Sequence, residues 1–470
     1  MNKRSWLTVF ASFAALTLAA LACRGGTSPT SAPATIAPVT AAPSIVPATS
    51  TIQMTPSGTL DLLGSFGYKD SGGYYHVVGL IHNGTAQALN SIELTLELKG
   101  ASGKTLLRDS NSQAVPSVKF SPALDTLAPG ENSPFDYYIN TADVGEPAQN
   151  GFKVTITGQQ AAQVTRANVT VQNVQMVSDG SGSLYVTGEI VNQDSKPAQI
   201  ASYAVAALDG NGGVVAASDS GALTRLLAPA GDSSGDDRTA FSFQLDSPGD
   251  TTKNPAVYLD AIQPDTYAPS NVTVQVTNTY TDDNKDYHIV GTMTNNDKTV
   301  LTVRLVAGLY AKDGTPLDAD TLDSAFDLAS GQSMPFDFRS FSVVGSIADQ
   351  AAKLDHYTVQ VDPYWTFGST NETVSLQTAA DKKTDNGSGQ WDISGTVTNT
   401  SGKQLSNATV VVGVYDAQNK LVAVDSTDVS SKGSVIATNE NDTYDATIYL
   451  DPSVDASSFT FKTYVQGIVK

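Results

Sequence analysis

Beyond residue 57 apolar and polar residues alternate over short stretches, the period of two that gives a β-strand one dry face. The clearest stretch recurs four times, as 75–83, 184–192, 287–295 and 391–399, with Gly79, Gly188, Gly291 and Gly395 at its fifth position. Four and two residues before each glycine, and two after it, every side chain is apolar or aromatic: Tyr75, Val77 and Ile81 in the first copy, Trp391, Ile393 and Val397 in the last. The intervening positions include His76, Glu189, His288, Thr292 and Asp392, which predicts a strand whose other face, His76 and His288 included, looks outward to solvent. The glycine falls on the dry face, where a missing side chain admits a bulky neighbour or a facing strand. Asn83, Asn192, Asn295 and Asn399 close the stretches and predict an Asx-type turn.

Other elements recur at comparable offsets. Ile92 to Leu98 alternates, and its counterparts are Tyr203 to Leu208, Val303 to Tyr310 and Val410 to Tyr415. The last two run into Lys312-Asp313-Gly314 and Asp416 to Asn419, which predict hairpins. A second turn reads Leu127-Ala128-Pro129-Gly130, Leu227-Ala228-Pro229-Ala230 and Leu328-Ala329-Ser330-Gly331, followed by a strand at Phe135-Asp136, Phe241-Ser242, Phe336-Asp337 and Tyr444-Asp445. Each copy ends on an aromatic and an aliphatic residue four apart: Phe152 and Ile156, Tyr258 and Ile262, Tyr357 and Val361, Phe461 and Val465. The glycines are about 105 residues apart, the size of one β-sandwich. The expected fold is all-β: four tandem immunoglobulin-like β-sandwiches over 58–160, 161–267, 268–369 and 370–470. With one cysteine in the chain, no disulfide joins their sheets.

The first 22 residues have the layout of a bacterial export signal, with Lys3 and Arg4 before an apolar run from Trp6 to Ala22. Ala20-Leu21-Ala22-Cys23 resembles the lipobox of bacterial lipoproteins, and the only cysteine stands where a thiol is acylated. The other reading is an ordinary secretory signal cut after Ala22. Lipidation at Cys23 implies an extracytoplasmic protein anchored to the bacterial membrane through an N-terminal lipid. Residues 23–57 hold six prolines, one charge and no periodicity, and read as a disordered linker between anchor and folded body.

Gly308-Leu309-Tyr310 and Gly413-Val414-Tyr415-Asp416, together with the glycine-to-asparagine strand and the Leu-Ala-Pro-Gly turn, resemble the FxLYD-type domain of bacterial exported proteins and lipoproteins. The resemblance spans about 58–470. It implies an extracellular sandwich and brings no established activity or catalytic residue.

Composition narrows the chemistry. Of 470 residues 47 are acidic and 27 basic, for a formal charge of −20, which opposes nucleic acid as a partner because such binding draws on basic side chains. Asp70-Ser71-Gly72-Gly73 is similar to a serine-protease signature, but Lys69 replaces its leading glycine and a turn explains it. Only His76, His82, His288 and His356 could serve as a base, and no nucleophile, base and orienting group assemble from sequence, so no catalytic residue, cofactor or metal site is predicted. The loop Asp282 to Asp286 alternates oxygens as a calcium loop does, yet Tyr287 stands where the sharp turn needs glycine, and a solvated hairpin tip is expected. Tyr364, Trp365 and Phe367 lie between the third and fourth units, where rings either stack on a sugar or pack one domain on the next. Taken together the sequence favours a non-catalytic surface array for adhesion, envelope interaction or spacing. The alternative is a lipoprotein that binds an envelope glycan, a peptide or another surface protein through exposed, co-planar rings at that junction.

Overall fold

The computed structural model describes residues 58–470, apart from 181, 247–253, 388, 430–434 and 456–457. The residues read as export signal and linker, Cys23 among them, lie outside the described residues. The described chain falls in one unit, Val46–Lys470. It is all-β, built of antiparallel sheets, with only short helical turns at Thr141–Val144, Ser342–Ser346 and Ala348–Ala351.

Each predicted glycine strand is observed, as Tyr74–Asn83, Ser183–Asn192, Tyr287–Asn295 and Gln390–Thr398. In every repeat it pairs on both edges. Its partners are the strand before it and the aromatic strand: Leu60–Lys69 and Asn132–Asn140 in the first copy, Val272–Thr281 and Ser333–Phe338 in the third. A second sheet in each repeat centres on the next alternating strand, Ala88–Gly100, Ala198–Leu208, Arg304–Ala311 or Leu405–Tyr415, paired with the strand that closes the repeat. The turns at Lys312 to Gly314 and Asp416 to Asn419 do close hairpins, with Gly314 at φ 82° and Asn419 at φ 60°.

The glycine has the packing role its place on the dry face predicts. A Cβ on Gly79 would lie 2.4 Å from Phe135 Cζ, and one on Gly188 2.5 Å from Phe241 Cζ. Gly291 and Gly395 face Phe336 and Tyr444 in the same way. A second reason emerges only in the structure. The preceding strand bulges opposite the glycine, between Leu62 and Gly64 and between Val276 and Asn278. The bulge pushes the carbonyls of Gly64 and Gln275 to 2.4 Å from where a Cβ would stand on Gly79 and Gly291.

The closing asparagines also behave as predicted, and do more. Asn295 Oδ1 accepts the Asp297 amide at 2.8 Å, the Asx turn. Its Nδ2 donates to Thr299 O at 2.8 Å and to Leu328 O at 2.7 Å, which binds the strand end to the Leu-Ala-Ser-Gly turn. Asn83, Asn192 and Asn399 repeat the arrangement, each with an amide nitrogen on the carbonyl four residues on and on the following turn.

One expectation fails. The outward face of the glycine strand is not solvated in the first three repeats: His76 is 5% exposed, Glu189 5% and His288 1%, whereas Asp392, Ser394 and Thr396 of the fourth stay partly exposed. Alternation identifies which residues share a face, but what covers the second face comes from the next repeat. Tyr68, Val78 and Leu80 of the first repeat belong to the apolar cluster of the second, with Val214, Val215 and Ala217. Val411, Tyr415, Leu421 and Val424 of the fourth repeat belong to the cluster of the third. The junction between second and third is smaller and centres on Ala240, Tyr310 and Ala319. There Pro316 O accepts from Gln175 Nε2 at 2.6 Å and Thr187 Oγ1 at 3.1 Å.

Candidate functional site

The two covered histidines lie at the centre of matching polar clusters. In the first repeat Asp70 opens the hairpin turn, and its Oδ1 accepts the Tyr74 amide at 2.7 Å. Six residues on, His76 stands on the covered face of the glycine strand. Its Nδ1 is 2.8 Å from Asp136 Oδ2 on the aromatic strand, and its Nε2 is 3.6 Å from Asp70 Oδ2. Tyr68 stacks on the imidazole with ring centroids 4.9 Å apart and planes 8° apart. The Tyr68 hydroxyl donates to Asp246 O at 2.8 Å, at the end of a strand of the second repeat.

The third and fourth repeats reproduce this geometry. His288 Nδ1 is 2.8 Å from Asp337 Oδ2, and Nε2 is 3.6 Å from Asp282 Oδ2. Tyr280 stacks on it at 4.3 Å and donates to Tyr449 O at 2.7 Å. Asp283, Asn284 and Lys285 form the expected exposed hairpin tip, but Asp282 is buried. Its side chain is 2% exposed and its Oδ1 closes the turn on the Asp286 amide.

Burial is the largest single influence on each group of the two clusters, and around the histidines the carboxylates together outweigh it. Desolvation by itself would lower each histidine pKa, but the hydrogen bond and charge of Asp136 or Asp337, with Asp70 or Asp282 behind, raise the net value. Burial raises the Asp136 carboxyl and pushes Asp337 up to about 6, partly offset by the histidine each carboxyl faces. The tyrosine hydroxyls are raised by burial and by the neighbouring carboxylates.

An imidazole held by a buried carboxylate is two thirds of a hydrolase triad. The atom facing the free nitrogen of His76, however, is a carboxylate oxygen of Asp70 rather than a hydroxyl. That arrangement can hold a proton or a cation; it does not generate a nucleophile. The Asp70 to Gly73 stretch is a turn, as predicted, with the Gly73 amide on Asp70 O. His82 is buried against Asn132 Oδ1 at 2.8 Å, and His356 lies exposed beside Asp355, stacked on Tyr310.

The aromatic cluster is arranged otherwise than expected. Tyr364, Trp365 and Phe367 are 38%, 37% and 51% exposed. Tyr364 and Trp365 meet edge to face at 83°, so they form no co-planar platform. The Arg225 guanidinium lies over Tyr364 at 4.6 Å and that of Arg304 over Trp365 at 4.8 Å. Arg225 belongs to the second repeat, so Tyr364 packs toward the preceding neighbour rather than between third and fourth units. Asp362 lies beside this contact: its Oδ1 accepts the Tyr364 amide at 3.1 Å, and burial pushes its carboxyl up to about 6.

No protein-family model matches the chain, and no curated protein matches it. Among solved structures, a tetra-tandem repeat from the extending region of a large adhesion protein is 12% identical, over 87% of this chain and 98% of its own, at a TM-score of 0.12. Native alpha-2-macroglobulin of E. coli is 10% identical over 86% of this chain at 0.12, and its elastase-activated form 9% identical over 88% at 0.13. This chain spans 27% and 44% of those two proteins. Scores of this size carry no argument about fold or function. No helix among the described residues is long and apolar enough to cross a membrane.

Proposed function

We propose that the chain is a lipid-anchored, non-catalytic protein of the bacterial surface, whose four tandem immunoglobulin-like sandwiches of FxLYD type serve adhesion, envelope interaction or spacing. The lipobox ending at Cys23 and the proline-rich linker support the anchor. The observation that carries the spacing role is the double burial of the first three glycine strands. One face of Tyr74–Asn83 fills the core of its own repeat, and Val78 and Leu80 on the other pack into the next. Repeats joined through apolar contacts resist relative motion better than repeats tethered by linkers. Such an array holds its far end at a fixed distance from its first repeat.

Labelled palmitate tests the anchor. The full chain incorporates label and stays with membranes, whereas Cys23→Ser takes up none and is released. Label retained by Cys23→Ser rejects the lipid reading. The released form is then the bait for pull-down from envelope fractions, where a specific captured component supports adhesion.

A further inference from the structure

Asp70, His76 and Asp246, contributed by two repeats, each bring one carboxylate oxygen or ring nitrogen within 4.8 Å of the other two. Zinc bound at about 2.1 Å in tetrahedral geometry sets its ligand atoms about 3.4 Å apart, so a shift of roughly an ångström closes this group on an ion. The group is built as a ligand set rather than as a surface patch of acids. His76 Nε2 is buried and makes no hydrogen bond. Its other nitrogen, at 2.8 Å from Asp136 Oδ2, is the one that carries the proton when the carboxylate accepts it, which turns the Nε2 lone pair toward Asp70 and Asp246. Asp70 is oriented by the Tyr74 amide on Oδ1, with Oδ2 toward the imidazole. Tyr68 braces the set twice, stacking on His76 and holding the main chain of Asp246.

Charge favours a cation. The cleft beside His76, about 230 Å³, is lined by Asp136, Asp219 and Asp246 and by no lysine or arginine. The junction of the third and fourth repeats provides an internal comparison. It keeps Asp282, His288 and Asp337, but Tyr449 occupies the place of Asp246 and Arg339 enters the cleft, 2.9 Å from Asp425. That copy lacks the third ligand and brings its own cation.

We propose that Asp70, His76 and Asp246 bind one zinc-like divalent transition-metal ion at the first junction, with water completing the shell and Asp136 as the outer carboxylate. A nitrogen ligand in a set of three protein donors suits zinc and its late first-row neighbours rather than calcium, which takes six to eight oxygens. The ion would bridge two repeats, since Asp246 comes from the second.

The test uses the full chain carrying Cys23→Ser, which removes the lone thiol as a competing ligand. Chelator-stripped protein is titrated with Zn²⁺ by calorimetry and with Co²⁺ by visible absorption. One ion per chain, a tetrahedral cobalt spectrum and a raised melting temperature are expected. Asp246→Ala, at an exposed side chain, should lose all three while keeping the circular dichroism of the metal-free parent. Asp136→Asn should weaken binding about 10- to 100-fold, and His288→Gln should leave it unchanged. No binding by the parent, or binding that Asp246→Ala and His76→Gln leave intact, overturns the assignment.

Discussion

Replacing Asn295 with alanine tests whether the repeat is held together at the strand end or only by its core. The side chain is fully buried and makes three hydrogen bonds to main chain. They are not equal. Leu328 O lies in the interior and keeps one other donor, the Leu301 amide at 2.9 Å, so the lost bond leaves a lone pair unmatched away from water. Thr299 O and the Asp297 amide lie in a partly exposed loop and can turn to solvent. One buried loss at about 1–3 kcal/mol and two exposed ones at about 0.5 kcal/mol each sum to about 2–4 kcal/mol. Hydrogen exchange reads this repeat by repeat, which a global melt of four coupled repeats does not. Amides of Tyr287–Asn295 and Arg304–Ala311 should exchange about 30- to 900-fold faster at the same pH, and those of the first repeat should not change. Asn295→Asp should cost at least as much at pH 7, because it sets a carboxylate oxygen against two carbonyls, and should recover as the pH falls and the carboxyl protonates. The exposed neighbour Asn296→Ala is the control. A change below about threefold in Asn295→Ala, or one equal to that of the control, refutes the reasoning.

Gly188→Ala should destabilise the second repeat by about 1–3 kcal/mol, since the new methyl overlaps Phe241. The loss should shrink in a Phe241→Leu background, a coupling that a double-mutant cycle measures. The His288 cluster should make stability fall with rising pH. Burial opposes the charge on His288, but Asp337 and Asp282 outweigh it and raise its pKa. Other groups facing the cluster are Tyr280, Asp286, Arg339 and Asp425. A folded value above the unfolded one of about 6.5 means that the stabilisation is complete below pH 6.5 and is lost as pH rises through the folded value. Calorimetry from pH 5 to 9 should show that decline, and His288→Gln should flatten it; a variant with the parent's slope would place the titration elsewhere.

Much of the fold is legible in the sequence because its signals are local. A glycine among alternating apolar residues marks where Phe135 or Phe336 crosses the strand, and an asparagine two residues past the last apolar position marks where the strand turns. The junctions are not local. Period two puts Val77 and Ile81 on one face and His76, Val78 and Leu80 on the other, but only the second repeat reveals that the latter face is dry. The candidate ligand Asp246 lies 170 residues beyond His76, so no spacing rule joins them. A signal was nonetheless present. Tyr68, Asp70 and His76 recur as Tyr280, Asp282 and His288, each 212 residues later, with no such triplet in the second or fourth repeat.

That offset is two repeats rather than one, and it bears on how the array is assembled. Were the four units equivalent, each junction would be built alike. Instead the first and third present a tyrosine, a histidine and two aspartates toward the repeat that follows, and each tyrosine donates to the same place on its neighbour's strand, Asp246 O or Tyr449 O. The second and third meet through different residues, with Pro316 O between Gln175 and Thr187. The repeating element is thus a pair of two-sheet repeats whose shared face is part of the fold. Within the pair, substitutions at positions equivalent to Asp246 and Tyr449 can change the character of the junction without disturbing either core, since the hydrogen bond that aligns the repeats uses main-chain oxygen. The aligned framework stays constant while the side chain decides whether the junction carries an additional carboxylate or an aromatic ring.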